Sequence, residues 1–151
     1  VPLLELDDGT RLAEGAAILQ YIADQVPERH LAPPYGTLPR YRLMSWLSVI
    51  SSELHKNFSP LFNPASPEEG KAASRERLAG RLRWVNDQLE GHEWLLGADF
   101  SVADAYLFTV TNWAPRVGVD LAPFARINEL RSRMQGRPAV LAALRAEGLL
   151  A

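Results

Sequence analysis

The chain contains no cysteine among its 151 residues. Within these residues, a cysteine nucleophile, a thiol switch and a disulfide are therefore excluded. Excess charge is also small, because 16 Lys and Arg stand against 18 Asp and Glu, a formal net charge of −2. Nucleic-acid binding and polybasic membrane anchoring need concentrated positive charge, so both are disfavoured. The sequence has no basic–apolar signal segment and no apolar run long enough to span a bilayer.

The residues that are present favour a packed, ordered structure. Four Trp and five Phe indicate a real core, and the length suits one domain or a small domain with a fragment. The N-terminal stretch predicts two short strands around a tight turn at Asp7-Asp8-Gly9, because Asp-Gly tolerates the positive φ of hairpin turns.

A helix is predicted to begin at Glu14-Gly15, where Ser, Thr, Asp or Asn would be the usual cap. One interpretation is that a bound carboxylate replaces the missing cap, since exposed N–H groups and the positive dipole end attract anions. The alternative is an ordinary loop-to-helix joint.

A proline-rich connector at 26–36 precedes a long amphipathic helix predicted from about residue 39 to 62. Its buried stripe has i, i+3, i+4 spacing and comprises Leu43, Trp46, Leu47, Ile50, Leu54, Phe58 and Leu61. Beside the stripe runs a polar row of Ser48, Ser52, His55 and Lys56. Ser48 and His55 are seven residues apart, which predicts that they point nearly the same way on an α-helix. This row is either a solvent face or part of a site.

Four further helices are predicted. One spans about residues 67–90, with a narrow apolar stripe under an arginine-rich face. A second starts at a capping box in which Asp104 reaches back to Ser101, so Asp104 is interpreted as a cap and not as a catalytic carboxylate. The tail predicts helices after Pro123 and from Arg137-Pro138. His92-Glu93 has no further ligand at a suitable spacing, so no metal site is expected.

Several of these stretches resemble bacterial glutathione S-transferases, most closely the beta class. The run from Val-Pro to Glu-Gly is similar to the end of that family's glutathione-binding domain, and SELHKNFSPLF is similar to a segment that lines its active-site cleft. Leu95-Leu96-Gly97 and FSVADAYLF resemble its N-capping motif. The implied fold is mostly α: a final ββα part of a thioredoxin-like domain (1–26), a linker (27–38) and an all-helical C-terminal domain (39–151).

The resemblance also implies roles for residues at the N-terminal end. The Val1-Pro2 bond would be cis, and the Val1 backbone would pair with the cysteinyl part of glutathione. Glu14 and Gly15 would hold the γ-glutamyl group, with the Glu14 carboxylate meeting the α-ammonium and helix-end N–H groups taking the α-carboxylate.

In the long helix, His55 and Lys56 would hold glutathione near its sulfur, with His55 as an auxiliary catalytic residue. Ser48 stands where the family has an asparagine that contributes to binding. Tyr106, Trp113, Phe58 and Phe62 are each either core or cleft residues, and spacing does not decide between the two.

The implied activity is conjugation of the glutathione thiol to an electrophilic small molecule, without a metal, by a cytoplasmic homodimer. Tyr41, Trp46 and Val49 indicate a second packing partner for the long helix. Since the family's thiol activator would lie ahead of Val1, the chain alone is expected to be inactive. The alternatives are a non-catalytic glutathione-binding or interaction module and an unrelated helical interaction protein that uses the arginine face.

Overall fold

In a computed structural model, which describes residues 2–150, the chain forms a small hairpin followed by a helical bundle. Strand β1 (Leu3–Glu5) pairs antiparallel with β2 (Arg11–Ala13), with Leu4 opposite Leu12. The turn closes through a 2.9 Å hydrogen bond from the Leu6 N–H to the Thr10 carbonyl. The predicted hairpin is confirmed.

Helix α1 (Gly15–Gln25) follows β2 directly and packs against both the hairpin and the bundle. Ile18 and Ala23 are its buried residues. A short 3-10 turn, Pro27–Arg29, then leads into the proline-rich connector. Proline removes backbone donors and breaks helices, so this connector separates α1 from the next helix.

The long helix consists of three consecutive parts: α2 (Leu38–Val49), a π-helical turn (Ile50–His55) and α3 (Lys56–Phe62). The backbone keeps right-handed helical angles at both junctions, so the helix is continuous. Thr37 caps it by accepting a 3.3 Å hydrogen bond from the Arg40 N–H. The expectation of a regular α-helix was therefore wrong in one respect, because a wider π turn interrupts the α geometry.

The bundle is completed by α4 (Glu68–Gln88), α5 (Val102–Thr111), α6 (Ala125–Gln135) and α7 (Pro138–Ala146). These bounds confirm the predicted helices to within a few residues, as expected for frayed ends. The predicted stripe of the long helix is also confirmed. Its five central members are at most 1% exposed, namely Leu43, Leu47, Ile50, Leu54 and Phe58, while Trp46 and Leu61 flank them half-buried. The fold class is the one expected.

The capping box at the start of α5 is present and buried. Asp104 Oδ2 accepts hydrogen bonds from the Ser101 N–H at 2.8 Å and from the Ser101 hydroxyl at 3.0 Å. Its other oxygen, Oδ1, accepts the Leu95 N–H at 2.8 Å, a contact that the sequence did not indicate. Asp104 thus caps α5 and also ties down the loop before it. Burial raises the pKa of Asp104, and the hydrogen bonds that its carboxylate accepts oppose this effect.

An ion pair joins α1 to α2 across the connector. The Arg40 guanidinium is only 3% exposed and donates to both oxygens of Asp24 at 2.7 Å. It also donates to the Pro33 carbonyl at 3.2 Å. Arg40 holds the pKa of Asp24 below its usual value through these hydrogen bonds. The predicted domain boundaries at residues 26 and 38 stay a prediction. The ion pair joins a residue before the predicted linker to one after it.

Candidate functional site

An open cavity of about 660 Å³ lies where the start of α1 meets the π turn, α3 and α5. We call it the α1 cavity. Its lining combines charged, hydroxyl and aromatic side chains, contributed by Pro2, Glu14, Gly15, Ser51, Ser52, His55, Lys56, Ser59, Tyr106, Thr109 and Trp113. This volume lies in the range of small-molecule sites, roughly 300–1,000 Å³.

The first turn of α1 forms one end of the cavity. Glu14 has a φ of 72°, in the left-handed region that non-glycine residues rarely adopt. Its carbonyl accepts the N–H groups of Ala17 and Ile18, both at 2.9 Å. The Gly15 and Ala16 N–H groups have no hydrogen-bond partner within residues 2–150. A strained residue beside two unpaired helix-end donors is the arrangement expected at an anion site.

His55 stands at the opposite end, at the last position of the π turn. Its Nδ1 lies 2.8 Å from the Tyr106 hydroxyl oxygen, and its ring meets the Trp113 ring edge-on at 4.8 Å. Burial lowers the pKa of His55, while the charge of Glu14 raises it in part. Burial raises the pKa of Tyr106. Near neutral pH both side chains are therefore uncharged, a histidine ring beside a protonated phenol.

Aromatic side chains form the wall next to His55. Trp113 contacts Phe58 and Phe62 edge-on, with ring centres 5.7 and 5.8 Å apart. Phe58 is a core residue at 1% exposure, whereas Tyr106 and Trp113 line the cavity and Phe62 is 48% exposed. From the sequence, Trp113 was also expected to lie on the helix that the Ser101–Asp104 box begins, but α5 ends at Thr111 and a 3-10 turn follows Trp113.

The structure brings most of the residues predicted for the site together. Pro2, Glu14, Gly15, His55 and Lys56 all line the α1 cavity. Val1 lies outside the residues that the structure describes, so its predicted backbone contact is not placed.

Ser48 does not belong to the lining of this cavity and is exposed. The π turn between Ser48 and His55 changes the α-helical spacing on which their predicted common direction depends, and of the two only His55 lines the cavity. Ser51 and Ser52, within the π turn, line the cavity instead. The role of Ser48 stays a prediction.

The sequence did not reveal which residues of α5 line the cavity. The signal in the sequence is the spacing of Tyr106 and Thr109 at i and i+3 on α5, with Trp113 just beyond the helix end, and all three line the cavity. Within residues 2–150, no group of three or more His, Cys, Asp or Glu is placed to hold a metal ion. Over the same residues, no helix combines the length and the apolar character needed to cross a bilayer.

Comparisons with known proteins agree with this geometry. A family model described as "Glutathione S-transferase, C-terminal domain" matches residues 49–138. The chain is 49% identical over 149 residues to glutathione S-transferase GstA of Escherichia coli O157:H7, which covers 99% of this chain and 74% of that protein.

Solved structures show the same similarity. The ternary complex of BphK, a bacterial GST, is 55% identical, with a TM-score of 0.96 over 98% of this chain and 74% of that one. A sphingomonad glutathione S-transferase complexed with glutathione is 47% identical, with a TM-score of 0.94 over 99% of this chain and 75% of that one.

Proposed function

Because the chain belongs to the bacterial beta-class glutathione S-transferases, we propose that its α1 cavity binds glutathione and promotes conjugation of the thiol to electrophilic small molecules. One observation carries the proposal. The two ends of a single cavity offer the two kinds of group that this tripeptide requires, a site for an amino-acid head at α1 and hydrogen-bonding groups for a sulfur at His55.

At the α1 end, the ligand's α-carboxylate would accept hydrogen bonds from the Gly15 and Ala16 N–H groups. The Glu14 carboxylate would pair with its α-ammonium. Gly15 leaves room for this approach, and a Cβ built there would meet only Pro2 Cγ, at 3.5 Å. The N–H donors and the Glu14 carboxylate thus match both charges of a zwitterionic head group, which gives greater specificity than a match to either charge alone.

At the His55 end, the protein would stabilise the thiolate. The sulfur forms a bond to the electrophilic carbon as the leaving group departs, and the thiol proton passes to solvent. A nearby N–H donor and the positive charge of Lys56 favour the ionised thiol, since thiolate is the nucleophile. Trp113 and Tyr106 present apolar surface to an electrophile held beside the sulfur.

The substitution Glu14→Gln tests the head-group site. Removing the charge while keeping the side-chain shape is expected to weaken glutathione binding about tenfold, because a charge-assisted hydrogen bond to the ammonium becomes a neutral one. Isothermal titration calorimetry at moderate salt gives the dissociation constants of the two proteins.

A matched control is Glu28→Gln, an exposed acid in the 3-10 turn that lies outside the cavity lining. It should leave the affinity unchanged. A glutathione analogue without the α-amino group gains nothing from the Glu14 charge, so Glu14→Gln should bind it at least as well as the unsubstituted protein does. Equal binding of glutathione itself by the two proteins would remove Glu14 from the site.

The alternative function is a glutathione-binding module without turnover. Assaying conjugation of a nitroaromatic electrophile alongside calorimetry separates the two, because a module would show affinity with no rate above the uncatalysed reaction. An unrelated interaction role for the arginine-rich face is disfavoured, because three of its arginines bond within the chain. Arg75 donates to the Val117 carbonyl, Arg77 to Asn57 and Arg81 to Glu53.

We also propose a homodimer formed through the outer face of α2 and α4. This face exposes large apolar side chains, with Leu38 at 64%, Tyr41 at 54% and Trp84 at 42% exposure. Trp84 packs against Trp46, with ring centres 5.4 Å apart, so the patch spans both helices. Exposed apolar side chains grouped on neighbouring helices are typical of a surface that a partner covers.

Sedimentation equilibrium at micromolar concentration should give twice the 16.8 kDa of one chain. Trp84→Lys should shift the mass to that of a single chain, because a charge would be buried without a partner. Leu149→Lys, which adds a charge at a 45% exposed leucine near the end of α7, should stay dimeric. A folded, unsubstituted sample with the mass of one chain would refute the dimer.

A further inference from the structure

The hydrogen bond between His55 and Tyr106 joins two helices that are far apart in sequence. His55 ends the π turn and Tyr106 belongs to α5, yet Nδ1 and the phenol oxygen are 2.8 Å apart. The other ring nitrogen, Nε2, makes no hydrogen bond to any residue that the structure describes. His55 lines the α1 cavity, so an N–H at Nε2 would be left for a group bound there.

The surroundings decide which atom of the pair donates. A neutral imidazole carries one N–H, at either Nδ1 or Nε2. Burial favours the neutral ring of His55 and the protonated phenol of Tyr106. Among the residues that the structure describes, the Tyr106 hydroxyl has His55 Nδ1 as its one hydrogen-bond partner, at 2.8 Å. A protonated phenol needs an acceptor for its proton, and the unprotonated Nδ1 is the acceptor within reach.

Two charged groups of the cavity act on this pair from its other elements. Glu14, at the start of α1, raises the pKa of both His55 and Tyr106. Lys56 follows His55 in α3 and also lines the cavity. The Glu14 charge favours a protonated phenol, which keeps Tyr106 a hydrogen-bond donor at neutral pH.

We propose that Tyr106 is a positioning residue: its hydroxyl donates to His55 Nδ1 and holds the ring as the Nε2–H tautomer, aimed at the sulfur of bound glutathione. Only the identity of the sulfur rests on the proposed function, because the tautomer is a property of the unliganded protein. The arrangement supplies a neutral N–H donor to a thiolate without a second positive charge in the cavity. Such a donor is aligned before the ligand arrives and costs no reorganisation.

Nitrogen-15 NMR of the histidine rings tests the tautomer without ligand or turnover. The chain has only three histidines, so His55→Gln identifies the His55 signals by their loss. The unsubstituted protein should show Nε2 protonated and Nδ1 unprotonated near neutral pH. Tyr106→Phe keeps the ring that packs 5.9 Å from His55 and removes only the hydroxyl, and it should give a mixture of both tautomers.

A dominant Nδ1–H tautomer in the unsubstituted protein would overturn the proposal, and so would an unchanged tautomer in Tyr106→Phe. Tyr35→Phe is the matched control, since Tyr35 is 83% exposed in the connector. It should leave the His55 signals as they are.

The second measurement is kinetic. Tyr106→Phe should lower kcat for conjugation about 5- to 10-fold, the worth of one hydrogen bond, while KM for glutathione stays within about threefold. An equal loss through KM would indicate a binding contact and would overturn the positioning role. Failure of the unsubstituted chain to bind glutathione would overturn the proposed function, and the NMR result still decides the role of Tyr106.

Discussion

Replacing Asp104 with alanine is expected to lower the free energy of unfolding by roughly 3 kcal/mol. The carboxylate is fully buried and accepts three hydrogen bonds, two from Ser101 and one from the Leu95 N–H. Its removal leaves three buried donors without acceptors, and each such group costs about 1–3 kcal/mol when nothing replaces the partner. Relaxation and entry of water reduce the sum. Urea unfolding followed by circular dichroism gives the difference.

Asp120→Ala is the matched control. Asp120 also accepts a backbone N–H, from Ala122 at 2.8 Å, but it does so in an exposed turn. Water can replace that partner, so the loss should stay within about 0.5 kcal/mol. Glutathione affinity of folded Asp104→Ala, measured below its melting temperature, should be nearly unchanged. A stable Asp104→Ala that has lost its affinity would show that Asp104 belongs to the ligand site.

Replacing His55 with alanine is expected to have the largest effect on thiol ionisation. A hydrogen bond to a charged acceptor contributes about 1.5–3 kcal/mol, which corresponds to roughly ten- to hundredfold less thiolate at neutral pH. The thiolate of bound glutathione absorbs in the ultraviolet near the edge of peptide absorption. A pH titration of the binary complex therefore measures its ionisation without turnover.

The direction of the pH effect follows from the proton balance. A donor to the thiolate stabilises the charged sulfur, so it lowers the pKa of the thiol, and its loss raises that pKa. The reduction in thiolate caused by His55→Ala should be largest below the thiol pKa of the unsubstituted complex. It should disappear above about pH 9, where even an unassisted thiol, with a pKa near 8.5, is ionised.

His92→Ala is the control, because His92 is exposed beyond the end of α4 and outside the cavity lining. It should titrate like the unsubstituted complex. A His55→Ala complex with an unaltered titration would mean that another group stabilises the sulfur.

Local rules account for the parts of the fold that were predicted. The Asp-Gly turn and the Ser101–Asp104 box depend on residues within a few positions of one another. Amphipathic spacing is similarly local, and it predicted the buried stripe of the long helix correctly. The third hydrogen bond of Asp104, from the Leu95 N–H, depends on how a loop folds over the helix start. No spacing in the sequence specifies that contact.

The site was predicted less completely for the same reason. Glu14, His55 and Lys56 were found through resemblance, and they line one cavity. The partnership of His55 with Tyr106 depends on packing between the long helix and α5, 51 positions apart in the chain. The π turn could not be read from residue types, since its sequence, ISSELH, is compatible with an ordinary α-helix. The expected alignment of Ser48 with His55 depended on regular α-helical spacing, which this turn interrupts.

The π turn also makes the number of residues before His55 as important as their identity. A π turn accommodates one more residue than an α-helix over the same span, so a helix that lost one residue from Ile50–His55 could return to α geometry while α2 and α3 keep their places. The remaining side chains of this segment would then be distributed differently around the helix axis. The length of this segment, as well as its residue types, therefore sets which of its side chains face the α1 cavity.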